Sequence, residues 1–301
     1  MLERCLTTLD KQVTAIVVAY KNRSDLAICY KSLSRVPEIR EIIIVDNSFS
    51  EVGSCLEYAG LGSLNMGIVH AVPGHNLGYA GGNNLGIGLA RERGAEHVLV
   101  CNPDVVVGLN TVPELLAEMD RRSLDLISPR LSEGDLSEES TVLSNPGWDT
   151  YLGRGVTQVP KSPFSSRYVP TFYGACFLAS MCILDGLGGL SQDFFLYGEE
   201  IDYTLRIERS KFRWGVSEDV VVSHDRGSSI SPGRSGKSLV AYFHAARSAV
   251  IVGRKYWPRA VIGWLAARVF VACLMLIRGR PAESRAVIRG LTEGLRSTLS
   301  N

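Results

Sequence analysis

The chain has no Cys-x-x-Cys pair. Its seven cysteines (5, 29, 55, 101, 176, 182, 273) are odd in number and scattered through 301 residues. That pattern indicates neither a zinc ribbon nor a disulfide framework. The opening MLERCLTTLDKQ lacks the basic-then-apolar order of a secretory leader. A reducing, cytoplasmic setting is the simplest expectation. No internal repeat is present. The segment VVAYKNRSD, which follows the start of the first apolar run, contains no glycine at all. A glycine-rich triphosphate loop of the sugar-phosphate nucleotidyltransferase kind is therefore excluded there. Gly86-Ile87-Gly88 runs on to Arg91 and lies far from the first strand, so it is not a dinucleotide fingerprint. Hydrophobic residues make up 46% and charged residues 21%, which excludes wholesale disorder. The length suits one large domain or two small ones.

The net charge of +1 conceals a strong asymmetry. Residues 247–301 carry ten Lys/Arg and two Glu, a net of +8, whereas the first 246 residues carry 22 basic and 29 acidic side chains, a net of −7. A basic tail on an acidic body suggests an anionic partner for the tail. Within it, AVIGWLAARVFVACLMLI (260–277) has Arg268 as its single charge, with Arg259 and Arg278 at its ends and Trp257 and Trp264 near one of them. Eighteen residues only just reach a spanning length, and a central arginine is costly in hydrocarbon. A helix lying in the membrane surface through 257–280 fits better. Packing within the protein or against a second copy is the rival reading.

Short β-branched runs at 13–19, 41–45 and 97–101 suit strands buried on both faces of a parallel sheet. Helical stretches at 24–35, opened by Asn22 or Ser24, and at 82–93 lie between them, so the first 120 residues alternate strand and helix. Residues 131–170 are rich in Ser, Pro and Gly and read as irregular structure. YGACFLAS (173–180) and WGVSEDVVVSH (214–224) read as strands, 225–238 as a mobile loop and the remainder as helix. The catalytic-type α/β body is expected over 1–245, with halves at 13–120 and 121–245, and a helical tail over 246–301.

Ligands of open parallel sheets bind at the carboxyl ends of strands. Here those ends carry Ala19-Tyr20, Asp46-Asn47-Ser48 and Asn102-Pro103-Asp104. If the strands are neighbours, an aromatic ring, a carboxylate for a nucleoside and a carboxylate for a divalent cation face one crevice. HNLGYAGGNNLGIGLA (75–90) adds Gly78, Gly81 and Gly82 for close backbone approach, and Asn76, Asn83 and Asn84 as amides near a helix start. FFLYGEEIDYTLR (194–206) sets Glu199, Glu200 and Asp202 behind aromatic residues. Acidic residues in a first helical turn are favoured by the dipole alone, so capping and catalysis both remain readings of this motif at this point.

The ordered series VVAYKN, IIIVDNS, HNLGYAGGNN, VLVCNPDV, YGACFLAS, FFLYGEEIDYTLR and VVVSHDRG, spanning about residues 13–255, resembles family 2 of the inverting glycosyltransferases, and most of all its bacterial rhamnosyltransferase-like branch. The resemblance implies the GT-A fold, a mostly parallel central sheet with helices on both faces, and here a helical tail. It implies a nucleotide-sugar donor, dTDP-rhamnose or a UDP-hexose, and Mn²⁺ or Mg²⁺. The acceptor is a saccharide or a lipid-linked saccharide of cell-surface polysaccharide synthesis, met at the cytoplasmic face of the inner membrane. No nucleic-acid partner is implied. The family's Asp-x-Asp position reads Asn102-Pro103-Asp104 here, which leaves Asp104 as metal ligand and Asn102 as a donor contact. His224 matches the family's histidine after the last strand and supplies the second ligand; imidazole tilts the choice toward Mn²⁺. Ala19, Tyr20, Asp46, Asn76, Gly78, Gly81 and Asn83 fall on donor-binding positions. Glu200 falls on the base, with Glu199 as the alternative. Tyr197 is expected to stack on the acceptor and Asp202 to contact it or to orient a neighbour. Arg226 or Arg234 of the loop would close over the diphosphate. A non-catalytic binding protein would instead tolerate loss of Glu200.

Overall fold

The computed structural model describes residues 12–21, 23–48, 54–61, 67–133, 141–160, 167–224 and 238–300. The expected cap Asn22, the loop at 225–237 and its Arg226 and Arg234 lie outside the described residues. Twelve described strands form a nine-stranded sheet and a small three-stranded one. The chain enters through β1 (Val13–Ala19), α1 (Arg23–Leu33), β2 (Ile39–Asp46), a short α2 (Cys55–Tyr58) and β3 (Ile68–Ala71). Next come α3 (Gly78–Glu92), β4 (His97–Cys101), β5 (Val105–Val106), α4 (Thr111–Arg122) and β6 (Leu126–Glu133). Four short strands follow, β7 (Thr141–Leu143), β8 (Gly147–Asp149), β9 (Arg154–Val156) and β10 (Tyr168–Pro170), where irregular structure was expected. These three-residue pieces are too short for alternation to be visible in sequence. Then come β11 (Cys176–Ser180), α5 (Met181–Leu187), α6 (Glu199–Glu208) and β12 (Trp214–His224). The tail is α7 (Leu239–Tyr256), α8 (Val261–Ile277) and α9 (Pro281–Arg296).

The large sheet runs β3-β2-β1-β4-β11-β6-β12-β5, with β7 on β6. Its first four strands are parallel, as their apolar runs require. β11 then enters antiparallel to both β4 and β6 and makes the second half mixed. Alternate residues of β1 divide between two cores. Val13, Ala15 and Val17 pack with Leu26 and Leu33 of α1 and Leu115 and Met119 of α4. Ile16 packs on the other face with Ile87 of α3, Ile183 of α5 and Tyr203 of α6. The sheet is thus covered by helices on both sides.

The tail is part of the body. Phe194, Ile201 of α6, Ile251 and Val252 of α7, Trp264 of α8 and Trp148 of β8 share one cluster. Trp264 is buried there and donates its indole N–H to Thr150 O at 3.0 Å. Helix α9 lies against α7 through Gly290 and Gly294. A Cβ at Gly290 would sit 2.2 Å from Phe243 O, and one at Gly294 2.7 Å from Arg247 O. Both obstacles are backbone and cannot swing aside. Gly290→Ala is therefore expected to destabilise the protein by about 1–3 kcal/mol through overpacking, read as a lowered thermal midpoint. An unchanged midpoint would contradict this packing.

Candidate active site

β2, β1 and β4 are neighbours, so the ends holding Ala19-Tyr20, Asp46 and Asn102 lie side by side. Asn47 N–H donates to Ala19 O at 2.9 Å, and Lys21 N–H to Ser48 Oγ at 3.3 Å, which ties the first two ends together. Asp46 is fully buried. Its Oδ1 accepts from Ser48 N and Oγ, both at 3.1 Å, and its Oδ2 accepts from Cys55 N at 2.7 Å. His70 Nε2 stands 3.4 Å from the same Oδ2, and the ligand atoms of Asp46, Cys55 and His70 lie within 4.8 Å of one another. Burial and the neighbouring Asp46 push the Cys55 thiol far above its ordinary range. Both carboxylate oxygens are hydrogen-bonded and burial disfavours the thiolate, so this corner is poorly suited to hold a cation.

Beyond β4 the chain turns through Asn102-Pro103-Asp104-Val105, where Val105 N–H donates to Asn102 O at 3.1 Å and proline presets the turn. β5 then pairs antiparallel with the end of β12, Val105 opposite His224. That register sets His224 Nε2 3.4 Å from Asp104 Oδ1, with side-chain exposures of 12% and 8%. Asp104 Oδ1 and His224 Nδ1 are both buried without a hydrogen-bond partner. A carboxylate oxygen and an imidazole nitrogen so placed fit a divalent cation: two ligands each about 2.1 Å from one ion lie about 3 Å apart. The two expected metal ligands are brought together by strand pairing across 120 residues of sequence.

The glycine- and asparagine-rich stretch makes a set of internal contacts. Helix α3 starts at Gly78, four residues earlier than the sequence indicated, so Gly81 and Asn83 lie inside it. Asn76 Oδ1 accepts from Gly78 N at 2.9 Å, and Asn47 Nδ2 donates to Gly78 O at 3.0 Å. Gly78 has φ +72°, and a Cβ there would lie 2.5 Å from Phe195 O. Tyr79 N–H donates to that same carbonyl at 2.8 Å. Asn84 exchanges two hydrogen bonds with the Leu190 backbone, at 2.7 and 2.8 Å. The stretch clamps the ends of β1 and β2 to the loop that precedes the acidic motif. Asn83, expected on the donor, is instead buried and donates to Tyr79 O at 3.0 Å.

The acidic motif is presented by two successive left-handed residues, Tyr197 (φ 68°) and Gly198 (φ 95°), which turn the chain sharply into α6. Glu199 is 1% exposed and its Oε1 has no partner. Glu200 is half-buried against Gly174, where a Cβ would sit 2.4 Å from its Oε1. Tyr79 hydroxyl donates to Gly174 O just beside it. Burial pushes the Glu199 carboxyl well above the usual range, and Glu200 and Asp202 push it further. Burial also raises Glu200, against the pull of backbone N–H groups at the helix start. Desolvation therefore outweighs the helix dipole that would merely cap an anion. Both carboxyls are held above the usual range, the more sheltered Glu199 the more strongly.

Asp202 does not share the fate of the pair. It is fully buried on the far side, where Oδ2 accepts from Arg206 Nε at 2.9 Å and Oδ1 from Tyr256 OH at 2.7 Å, with Lys255 Nζ 2.9 Å from Oδ1. Of the two expectations for Asp202, these contacts fit the orienting one: it anchors α6 to α7. Phe194 is core, Phe195 stacks on His244 with centroids 4.8 Å apart, and Tyr197 remains 36% exposed at the lip. Asn47, Tyr79 and Gly174 were not singled out by the sequence reading. Asn47 stood beside Asp46 as a second polar strand-end residue, whereas a glycine that matters by making room leaves no chemical signal. A surface depression lined by Glu96, Asp185, Lys211 and Phe212 lies at the opposite end of β4, remote from these groups.

The sequence model described as Glycosyl transferase family 2 matches residues 14–178, more than half of the chain. The low-salt glycan biosynthesis hexosyltransferase Agl10 of Haloferax volcanii is 29% identical over 225 residues, covering 73% of this chain and 69% of that protein. Rhamnosyltransferase WbbL of Escherichia coli is 23% identical over 215 residues, covering 67% and 78%. Among solved structures, GalNAc-T7 with UDP, GalNAc and Mn²⁺ superposes with a TM-score of 0.64 at 14% identity; it covers 86% of this chain, which spans half of that protein. Mannosyltransferase PcManGT of Pyrobaculum calidifontis, in complex with GDP-Man and Mn²⁺, gives 0.53 at 13% identity, covering 96% and 88%. These structural likenesses establish the fold.

The raised Glu199 carboxyl makes a signed prediction. Its contribution to stability is present below about pH 4, where unfolded glutamate is also protonated. That contribution is lost as pH rises through the elevated folded-state value. Glu199→Gln removes the titration, so its thermal midpoint relative to wild type should climb between pH 5 and pH 8, by at least about 2–4 °C. A pH-independent difference would contradict a sheltered, proton-holding Glu199.

Proposed function

The chain belongs to glycosyl transferase family 2, and on that premise we propose that it moves rhamnose from dTDP-rhamnose, with inversion, to a saccharide or lipid-linked saccharide acceptor. The observation that carries this reading is the short bridge Gly174-Ala175. Glu200 rests on Gly174, and Ala175 O accepts from Asn102 N at 2.8 Å, two residues before Asp104. The candidate base and the turn that carries Asp104 are thus linked through two adjacent residues.

In this reading the nucleoside lies over Ala19 and Tyr20 against Asp46, with Asn102 beside it. A bound Mn²⁺ or Mg²⁺ would neutralise charge on the departing diphosphate; Asp104 and His224 are the residues that would hold it. Glu200, ionised, accepts the proton of the acceptor hydroxyl as that oxygen attacks the anomeric carbon. Glu199, sealed where burial opposes ionisation, limits a second negative charge beside the base. Tyr197 at the lip offers a face to the acceptor ring. Because the leaving group needs no protein acid, one carboxylate suffices, unlike the acid–base pair of a glycosidase. The rhamnosyltransferase relative supports the choice of sugar, and the hexosyltransferase relative supports a UDP-hexose as the second reading.

Glu200→Gln is expected to lower turnover at least about a hundredfold while leaving donor affinity within a fewfold. Thermal shift with Mn²⁺ should show stabilisation by dTDP-rhamnose above that by UDP-sugars, abolished in Asp104→Ala. Preferential stabilisation by a UDP-hexose selects the second reading, and full turnover by Glu200→Gln removes its role as base.

A further inference from the structure

Helix α8 carries a face that the rest of the described chain leaves open. Ile262, Ala266, Val269, Phe270, Leu276 and Ile277 fall on one side at helical spacing, and Ile262, Phe270 and Ile277 are 74%, 63% and 80% exposed. The side chain that would spoil this face is turned inward: Arg268 Nη2 donates to Gly153 O at 2.5 Å, beside buried Trp264. Burial pulls the Arg268 guanidinium down to about 10, a desolvation that nothing on the outer face shares. The outer stripe is left without a single charge, and exposed Cys273 is its one weakly polar member.

Cations stand at the ends of this stripe and on the neighbouring helix α9. Exposed Arg259 and Arg278 stand at the two ends of α8. Arg285, Arg289 and Arg296 are exposed on the side of α9 opposite its buried Val287 and Leu291. Glu283 is paired with Arg280 at 3.1 Å, which leaves little acid to offset them. A large apolar patch with cations beside it marks an association surface. Three kinds of occupant have different charge requirements. A second copy meeting this face two-fold would set one tail of net +8 against another. A spanning insertion is excluded by length, since no described helix is long and apolar enough to cross a membrane. An anionic bilayer surface satisfies both the apolar stripe and the arginines.

We propose that α8 lies in the plane of an anionic lipid surface, with its Ile262–Ile277 stripe among the acyl chains and the neighbouring arginines on lipid phosphates. The inference goes beyond the transfer reaction and does not depend on it, because binding is read without turnover. It would orient the body so that a lipid-linked acceptor need not leave the bilayer to be reached.

Flotation of the full chain with vesicles is the test. Vesicles of phosphatidylglycerol and phosphatidylethanolamine should carry the protein at least about tenfold better than pure phosphatidylcholine, and about 0.5 M NaCl should weaken the difference. The double substitution Phe270→Ser with Ile277→Ser should lose at least about tenfold of vesicle partition, and Arg285→Glu with Arg289→Glu should lose the preference for anionic lipid. All four positions are exposed, so thermal midpoints should match wild type. No partition into anionic vesicles, or partition undiminished by Phe270→Ser with Ile277→Ser, overturns the proposal. A dimer in solution that this variant dissolves, without vesicle binding by the wild type, assigns the face to a second copy instead.

Discussion

The candidate site of this molecule hangs on one antiparallel seam. β11 is inserted between β4 and β6, and its leading residues Gly174-Ala175 meet the end of β4 through Asn102 N–H to Ala175 O. In an all-parallel sheet the last residues of β11, not its first, would adjoin the turn after β4. The reversed strand instead begins where β4 ends, so the segment leading into β11 lies beside the Asn102–Asp104 turn. Gly174 then provides the space in which Glu200 sits. A second reversed pairing, β5 on β12, completes the arrangement by setting His224 next to Asp104. Two hydrogen-bond registers thus bring together residues drawn from three distant parts of the chain.

The second organising fact is how negative charge is distributed along α6. Three carboxylates in the first turn would repel one another in water and more strongly when sheltered. The fold separates their fates. Asp202 is neutralised from behind by Arg206, Lys255 and the Tyr256 hydroxyl. Glu199 is sealed where ionisation is costly, and Glu200 is left at the margin where a proton can come and go. Because Lys255 and Tyr256 belong to α7, the helical tail takes part in tuning the acidic motif. It also braces the preceding loop: Ser248 Oγ donates to Leu196 O at 3.1 Å and Arg247 to Asp193 O at 2.7 Å.

Much of this was legible in the sequence, for identifiable reasons. Continuous apolar runs such as VTAIVVA and HVLVC can only be satisfied by burial on two faces, and they proved to be adjacent parallel strands. Polar residues crowd the ends of such runs because the core excludes them, which located Asp46 and Asp104. The first halves of helices were less legible. Gly78 opens α3 with a left-handed φ and donates its N–H to Asn76 Oδ1, a start that glycine content disguises as a loop. The short strands of 141–170 carry too few residues for a period to show. Burial was the other blind spot. Asn83 and Asp202 have the chemistry of ligand contacts but are turned inward, while Arg268, read as a charge in an apolar run, faces the protein and cleans the outer surface of α8. Sequence gives residue type and spacing; which way a side chain points depends on partners a hundred residues away.

The central claim is that one cleft holds a divalent cation at Asp104 and His224 with Glu200 across from it. The most direct measurement is crystallographic: soak Mn²⁺ with a nucleoside diphosphate and locate the metal by its anomalous signal. The account predicts a peak touching both Asp104 and His224, with diphosphate oxygens on the ion and the Glu200 carboxylate facing the same cavity. A peak among Asp46, Cys55 and His70, or a diphosphate bound with neither Asp104 nor His224 near its metal, would contradict it.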